Sequence, residues 1–168
     1  LPVRFDFKVG RPSAQAFPLR QFIHLSNQLL RYAGSAMAAY PPPEGLWGLR
    51  LQIADYLAAS KGILADPEHI IITAGTQESL SLITAHFLDE HSCAVHESPG
   101  YNGFRHLLER HRAQGIPVPV DEQGLCTGHL PDRPVQLAFV TPSHQYPLGH
   151  TLTVRRRQEL LAWASTSG

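Results

Sequence analysis

Four short apolar runs punctuate this chain, and they limit what it can fold into more than any other feature. They are Ile70-Ile71-Ile72-Thr73, Cys93-Ala94-Val95-His96, Ile116 to Val120 and Val135 to Val140. Runs of this length and composition read as buried strands. Stretches with helical character separate them: one from the Gly75 turn through about His91, one over residues 102–113, and a last one from near Thr153. Strands alternating with helices imply right-handed crossovers, and so an α/β fold with a mainly parallel sheet. The third run carries Pro117 and Pro119, which have no N–H to give a ladder, so it is expected at an edge.

The preceding part of the chain reads as helical. Residues 1–16 lack a helical period, whereas Leu19, Phe22, Ile23, Leu29 and Leu30 recur on one helical face, with Pro18 suited to the first turn. That helix should fade near Gly34. The run Tyr40-Pro41-Pro42-Pro43-Glu44-Gly45 forms a rigid turn. A second helix follows, carrying Leu49, Ile53 and Leu57, with Gly62 as its C-cap. Asp66-Pro67 has the form of an N-cap with proline at the first position of a short turn. Asp121-Glu122-Gln123-Gly124 is a further turn.

Composition removes several classes of function. The chain has 168 residues, 43% hydrophobic and 17% charged, which suits a globular domain. Its 14 basic and 14 acidic side chains cancel, whereas a dominant nucleic-acid surface needs a basic excess. No apolar stretch is long enough to span a membrane, and no secretory leader opens the chain. Cys93 and Cys126 cannot make a disulfide framework, so a reduced, cytoplasmic protein is expected. The chain starts at Leu1 and has a single methionine, Met37, as expected of a piece of a longer polypeptide. It has two lysines, Lys8 and Lys61.

Three segments stand out as candidate sites. In Thr73-Ala74-Gly75-Thr76-Gln77 a strand turns through glycine into a helix. Free backbone amides and the positive end of the helix dipole there suit a phosphate. The segment lacks both the Gly-Lys-Ser/Thr of a Walker loop and a Gly-x-Gly-x-x-Gly, and an ordinary strand–helix turn has the same form. Glu97-Ser98-Pro99-Gly100-Tyr101 follows a strand, where open α/β sheets bind ligands. Tyr101 can offer a flat ring to a flat ligand or simply pack within its loop. The third segment, Thr141 to Gly149, places Ser143, His144, Gln145 and Tyr146 in a loop restricted by two prolines, which fits a functional loop or a structural turn.

Other chemistries find little support. His86 and His91 are five apart, as are His106 and His111, which on a helix is a rotation of about 140° rather than one face, so no metal site is expected. No Gly-x-Ser-x-Gly elbow exists for serine hydrolysis. Arg155-Arg156-Arg157 point in different directions on a helix and read as a solvated face with local salt bridges.

Taken in order, these segments resemble the fold-type I, pyridoxal-phosphate-dependent aminotransferase domain. More closely, they resemble the effector domain of MocR-type regulators of the GntR family. The resemblance rests on Phe5-Asp6-Phe7, Gly10-x-Pro12 and Phe17-Pro18, and on a block from Tyr40 and Gly45 through Leu49-Arg50 and Tyr56-Leu57 to Lys61-Gly62-Ile63. It continues in Ile72-Thr73-x-Gly75-x-Gln77 and Glu97-x-Pro99-x-Tyr101. Most specific is Thr141-Pro142-Ser143-His144-Gln145-Tyr146-Pro147-x-Gly149, followed by Arg156-Arg157 and Leu160-Leu161.

The resemblance implies a three-layer α/β/α large domain, incomplete at its C-terminal end. Residues 1–35 would be the opening segment and first helix, and 36–168 the first part of the large domain. It implies that Gly75, Thr76 and Gln77 hold the phosphate of pyridoxal 5'-phosphate through backbone amides, and that Tyr101 stacks on the pyridine ring. Tyr40 would reach across a homodimer to the neighbour's phosphate, and the Gly10 loop would border the substrate carboxylate. Tyr146 would lie by the phenolic oxygen, where aminotransferases usually place asparagine. The family's cofactor-bearing lysine and the acidic partner of the pyridine nitrogen follow the Pro-x-Gly loop and its helix, and neither Lys8 nor Lys61 matches that lysine. The chain alone is therefore expected not to transaminate. Its partners would be the cofactor and an amino-acid or amine effector, with DNA bound only through a winged-helix domain upstream of Leu1. A part of a working class I/II aminotransferase, or a binding or oligomerisation module without cofactor chemistry, are the alternatives.

Overall fold

The computed structural model describes residues 13–34 and 38–167. Lys8, the Gly10 loop, the Phe5–Phe7 and Pro12 positions and Met37 lie outside the described residues. The chain divides into two compact units, Leu1–Ile72 and Thr73–Gly168.

The first unit is helical. Helix α1 spans Leu19–Ala33 and ends at Gly34, and α2 spans Trp47–Lys61, closed by Gly62 in the left-handed conformation. Both ends follow from local signals. At the next turn, over Pro67–His69, the Asp66 carboxylate accepts the Glu68 amide at 2.9 Å. Tertiary cover within this unit is thin: α1 has no buried residue and α2 only Ala54.

The expected strand at Ile70–Thr73 does not form. The segment is extended but joins no ladder. Among the described residues its only main-chain ladder-like bond runs from the Ile72 amide to the Glu44 carbonyl, and Ile71 is exposed. A β-branched run becomes a strand only where a second strand satisfies its backbone groups.

The second unit holds the sheet. Strand β1 (Cys93–Ser98) lies parallel to β2 (Gln114–Asp121) on one side and to β4 (Leu137–Phe139) on the other. The two-residue β3 (Gly124–Leu125) pairs antiparallel with the end of β2, giving the order β3-β2-β1-β4. The sheet is thus mixed, though mainly parallel. Along most of its length β2 is an edge, as Pro117 and Pro119 require.

Helix α3 spans Thr76–Phe87 and α4 Asn102–His111, while α5 runs over Val154–Thr166. Alternation along β1 shows the layering. Ala94 packs with Leu80 and Leu88 from the α3 side and with Phe104, Leu107 and Leu108 of α4. Val95, on the opposite face, packs with Val118, Leu125 and Leu152, against which Leu160 and Trp163 of α5 are laid. Two helices cover one face and one the other, which makes the three layers. Helix α3 stops at Phe87 rather than about His91 because Asp89 caps a turn there, accepting from the His91 amide and the Ser92 hydroxyl.

Candidate functional site

Helix α3 opens at Gly75, whose φ of 100° and ψ of 175° belong to a region that only glycine adopts without strain. This conformation turns the chain sharply, and no side chain caps the helix. Glu78 takes the Ala74 amide, and the Gly75 carbonyl accepts from Glu78 and Ser79. Among the described residues no acceptor is bonded to the amides of Gly75, Thr76 and Gln77. Gly75, Thr76 and Gln77 are all exposed, and a Cβ at Gly75 would meet nothing within 4 Å, so the turn is open to solvent. Neutral N–H groups at a helix N-terminus suit an oxyanion.

The Gln77 side chain points towards α4. It donates to the Gly103 carbonyl at 3.3 Å and accepts from the Tyr101 hydroxyl at 3.0 Å. A Cβ at Gly103 would run into both Gln77 Oε1 and the Tyr101 ring, so this close approach depends on glycine. The Tyr101 ring stands edge-to-face with Tyr146, centroids 5.7 Å apart at 87°, and lies 6.3 Å from Phe139.

Tyr146 belongs to the 141–149 loop, which is fastened from beneath. Glu97 is 4% exposed. Its carboxylate accepts from the Thr141 amide at 3.1 Å, the Thr141 hydroxyl at 2.5 Å and Gln145 Nε2 at 3.2 Å. Gln145, also buried, donates to the Pro99 and Tyr146 carbonyls and accepts the Leu148 amide. Arg157 holds the same loop from α5, donating to the Pro142 and Leu152 carbonyls at 2.9 Å each. An open cleft of about 740 Å³, lined in part by Glu97, Pro99, Arg105 and Tyr146, lies beside the loop.

The structure therefore brings Gln77, Tyr101 and Tyr146 together, with Gly75 and Thr76 in the turn that starts the same helix. Tyr40 lies in the first unit and is fully exposed. In the sequence Glu97 and Gln145 stand out only as members of two candidate segments, with no role of their own. The available signal was a carboxylate at the end of the apolar run from Cys93, since a charged residue is seldom fully buried unless paired.

The arginine run also departs from expectation. Only Arg155 behaves as a solvated side chain, 3.6 Å from Glu159. Arg156 is 11% exposed, forms a two-pronged bond to Asp121 at 2.6 and 2.7 Å, and reaches the Gly124 carbonyl. It holds the Asp121 carboxyl well below the ordinary carboxylate range, helped by the Gln123 amide. Nearby, burial pushes the Cys126 thiol up, with the Asp121 carboxylate adding to the effect, so this thiol is a poor nucleophile. Among the described residues no group of three or more His, Cys, Asp and Glu could hold a metal ion, and no helix is long and apolar enough to cross a membrane.

The sequence pattern of the family Aminotransferase class I and II matches residues 5–164. The chain belongs to that family. It is 40% identical over 137 residues to the HTH-type pyridoxine biosynthesis transcriptional regulator PdxR of Corynebacterium glutamicum, covering 82% of this chain and 30% of that protein. It is 34% identical over 161 residues to the probable rhizopine catabolism regulatory protein MocR of Rhizobium meliloti, covering 96% and 33%. Among solved structures it resembles the α-aminoadipate aminotransferase LysN of Thermus thermophilus, complexed with N-(5'-phosphopyridoxyl)-L-leucine. The TM-score is 0.84 and the identity 28%, over 93% of this chain and 40% of that one. The chain thus spans about a third of the curated relatives' length. The aminotransferase fold implies a pyridoxal-phosphate cofactor, and the donors present fit one: three unbonded amides at an open helix N-terminus, an aromatic ring beside them and a phenol next to that ring.

Proposed function

We propose that this chain is the first part of a pyridoxal-phosphate-binding, aminotransferase-like effector domain of a MocR-type transcriptional regulator. Residues 1–35 would form its opening segment and first helix, and 36–168 the beginning of the large domain. Identity to two transcriptional regulators across most of the chain supports the regulator reading. The observation that carries the cofactor reading is the joining of Gln77, Tyr101 and Tyr146 beside the uncapped start of α3.

In this reading the amides of Gly75, Thr76 and Gln77 receive the phosphate, the Tyr101 ring lies against the pyridine, and Tyr146 offers its hydroxyl to the phenolic oxygen. Tyr40 would serve the neighbouring subunit's phosphate in a homodimer. When bound, the cofactor supplies an electron-withdrawing ring and an aldehyde reactive towards amines. Such a site suits an amino acid or amine as effector. DNA would be bound by a separate helix-turn-helix domain preceding this chain, in a cytoplasmic protein.

Titration with pyridoxal phosphate, followed by quenching of the Trp and Tyr emission, tests the site. Saturable binding is expected, weakened roughly tenfold in Tyr101→Ala by the loss of ring stacking. Borohydride reduction should leave no stoichiometric adduct on Lys61. Equal affinity in parent and variant would sink the site assignment. The likeness to LysN favours a second reading, part of a working aminotransferase. The coding sequence upstream of Leu1 separates the two, a helix-turn-helix segment marking the regulator.

A further inference from the structure

We infer that Glu97 is a positioning residue: its buried carboxylate fixes where Tyr146 stands against Tyr101 by holding the 141–149 loop through Thr141 and Gln145. The inference deepens the proposed function and rests on the reading of the two rings as part of a cofactor site.

A carboxylate only accepts, and that of Glu97 faces three donors: the Thr141 amide, the Thr141 hydroxyl and the Gln145 amide group. The hydroxyl has one proton, and at 2.5 Å it gives it to Glu97. Its oxygen is left as an acceptor, and the Tyr146 amide donates to it at 3.1 Å. The charge thus sets the polarity of the relay from Glu97 through Thr141 to the backbone of Tyr146. Gln145 forms a second strut. Its NH2 shares two protons among three acceptors, the Tyr146 carbonyl at 2.6 Å, the Pro99 carbonyl at 2.9 Å and Glu97 at 3.2 Å, tying the segment that leads to Tyr101 to the loop that carries Tyr146. Glutamine at position 97 would present one acceptor oxygen and an NH2 to the same three donors, leaving at least one donor facing another.

The test uses the chain with ring-labelled tyrosine, Tyr101→Phe and Tyr146→Phe assigning the signals. The readouts are the ring-to-ring nuclear Overhauser effect between Tyr101 and Tyr146 and the affinity for pyridoxal phosphate. Parent and Thr141→Ser should show the effect. Glu97→Gln and Thr141→Val should lose it, with far-UV circular dichroism retained and affinity reduced roughly tenfold or more. Should Glu97→Gln not fold, Thr141→Val carries the test, because valine keeps the shape and removes only the hydroxyl. An intact ring contact in the folded variants, or a lost contact with unchanged affinity, overturns the inference. A parent that binds no pyridoxal phosphate while the ring contact follows the variants as expected leaves the positioning in place and overturns the proposed function.

Discussion

Glu97 and Asp121 stand at the ends of neighbouring parallel strands, and their surroundings give them different work. Glu97 is enclosed and answers to donors from a single loop, whereas Asp121 is half exposed and answers to one guanidinium. Because Arg156, and after it the Gln123 amide, hold Asp121 well below its ordinary value of 3.8, its ionised form stabilises the fold. A carboxyl depressed in the folded state gives stability that is present above its unfolded pKa and lost as pH falls towards the folded one. Asp121→Asn should therefore lower the urea midpoint at neutral pH. The gap to the parent should narrow steadily once the pH drops below 3.8. A gap independent of pH would show that the pair adds nothing. Neither role could be read from local sequence, since the partners lie 44 and 35 positions away. Asp66 could be read, because its partner is two residues on.

At the scale of elements, legibility followed the same division. Helices carry their hydrogen bonds within themselves, and α1, α2 and α5 begin and end close to the expected residues. Strands depend on neighbours. The run at Cys93 became the centre of the sheet because β2 and β4 flank it, and the far more β-branched run at Ile70 gained no partner. The candidate site was legible as three separate segments. Their meeting depended on α3 and α4 lying close, which Gly103 permits and Phe104 holds. Phe104 is fully buried and stacks on Phe139 of β4, centroids 4.9 Å apart. Phe104→Ala should cost about 3–5 kcal/mol in denaturant unfolding. It should also weaken the Tyr101–Gln77 bond, since the two residues are borne by the opening turns of the same two helices. A loss below about 1 kcal/mol would mean that α4 is held elsewhere.

For the whole molecule, the uneven distribution of apolar cover decides behaviour in solution. Phe22, Ile23, Leu29 and Leu30 on α1 are all at least half exposed, in a chain without net charge to keep copies apart. Light scattering should show a mass that rises with concentration, and Phe22→Ser combined with Leu30→Ser should return it towards 18.6 kDa. An unchanged mass profile would place the association elsewhere. The strand order bears on synthesis as well. Strand β1 gains β2 on one side early, but its other side waits for β4, whose first paired residue follows 43 positions after Ala94. At roughly 5–20 residues per second, the apolar core strand of the unit keeps an open flank for a few seconds on the ribosome. Parallel pairing over that separation is slow to form, and an open apolar strand recruits other chains. Changes within residues 122–139 that delay β4 should therefore reduce the yield of folded protein more than the stability of the molecules that do fold.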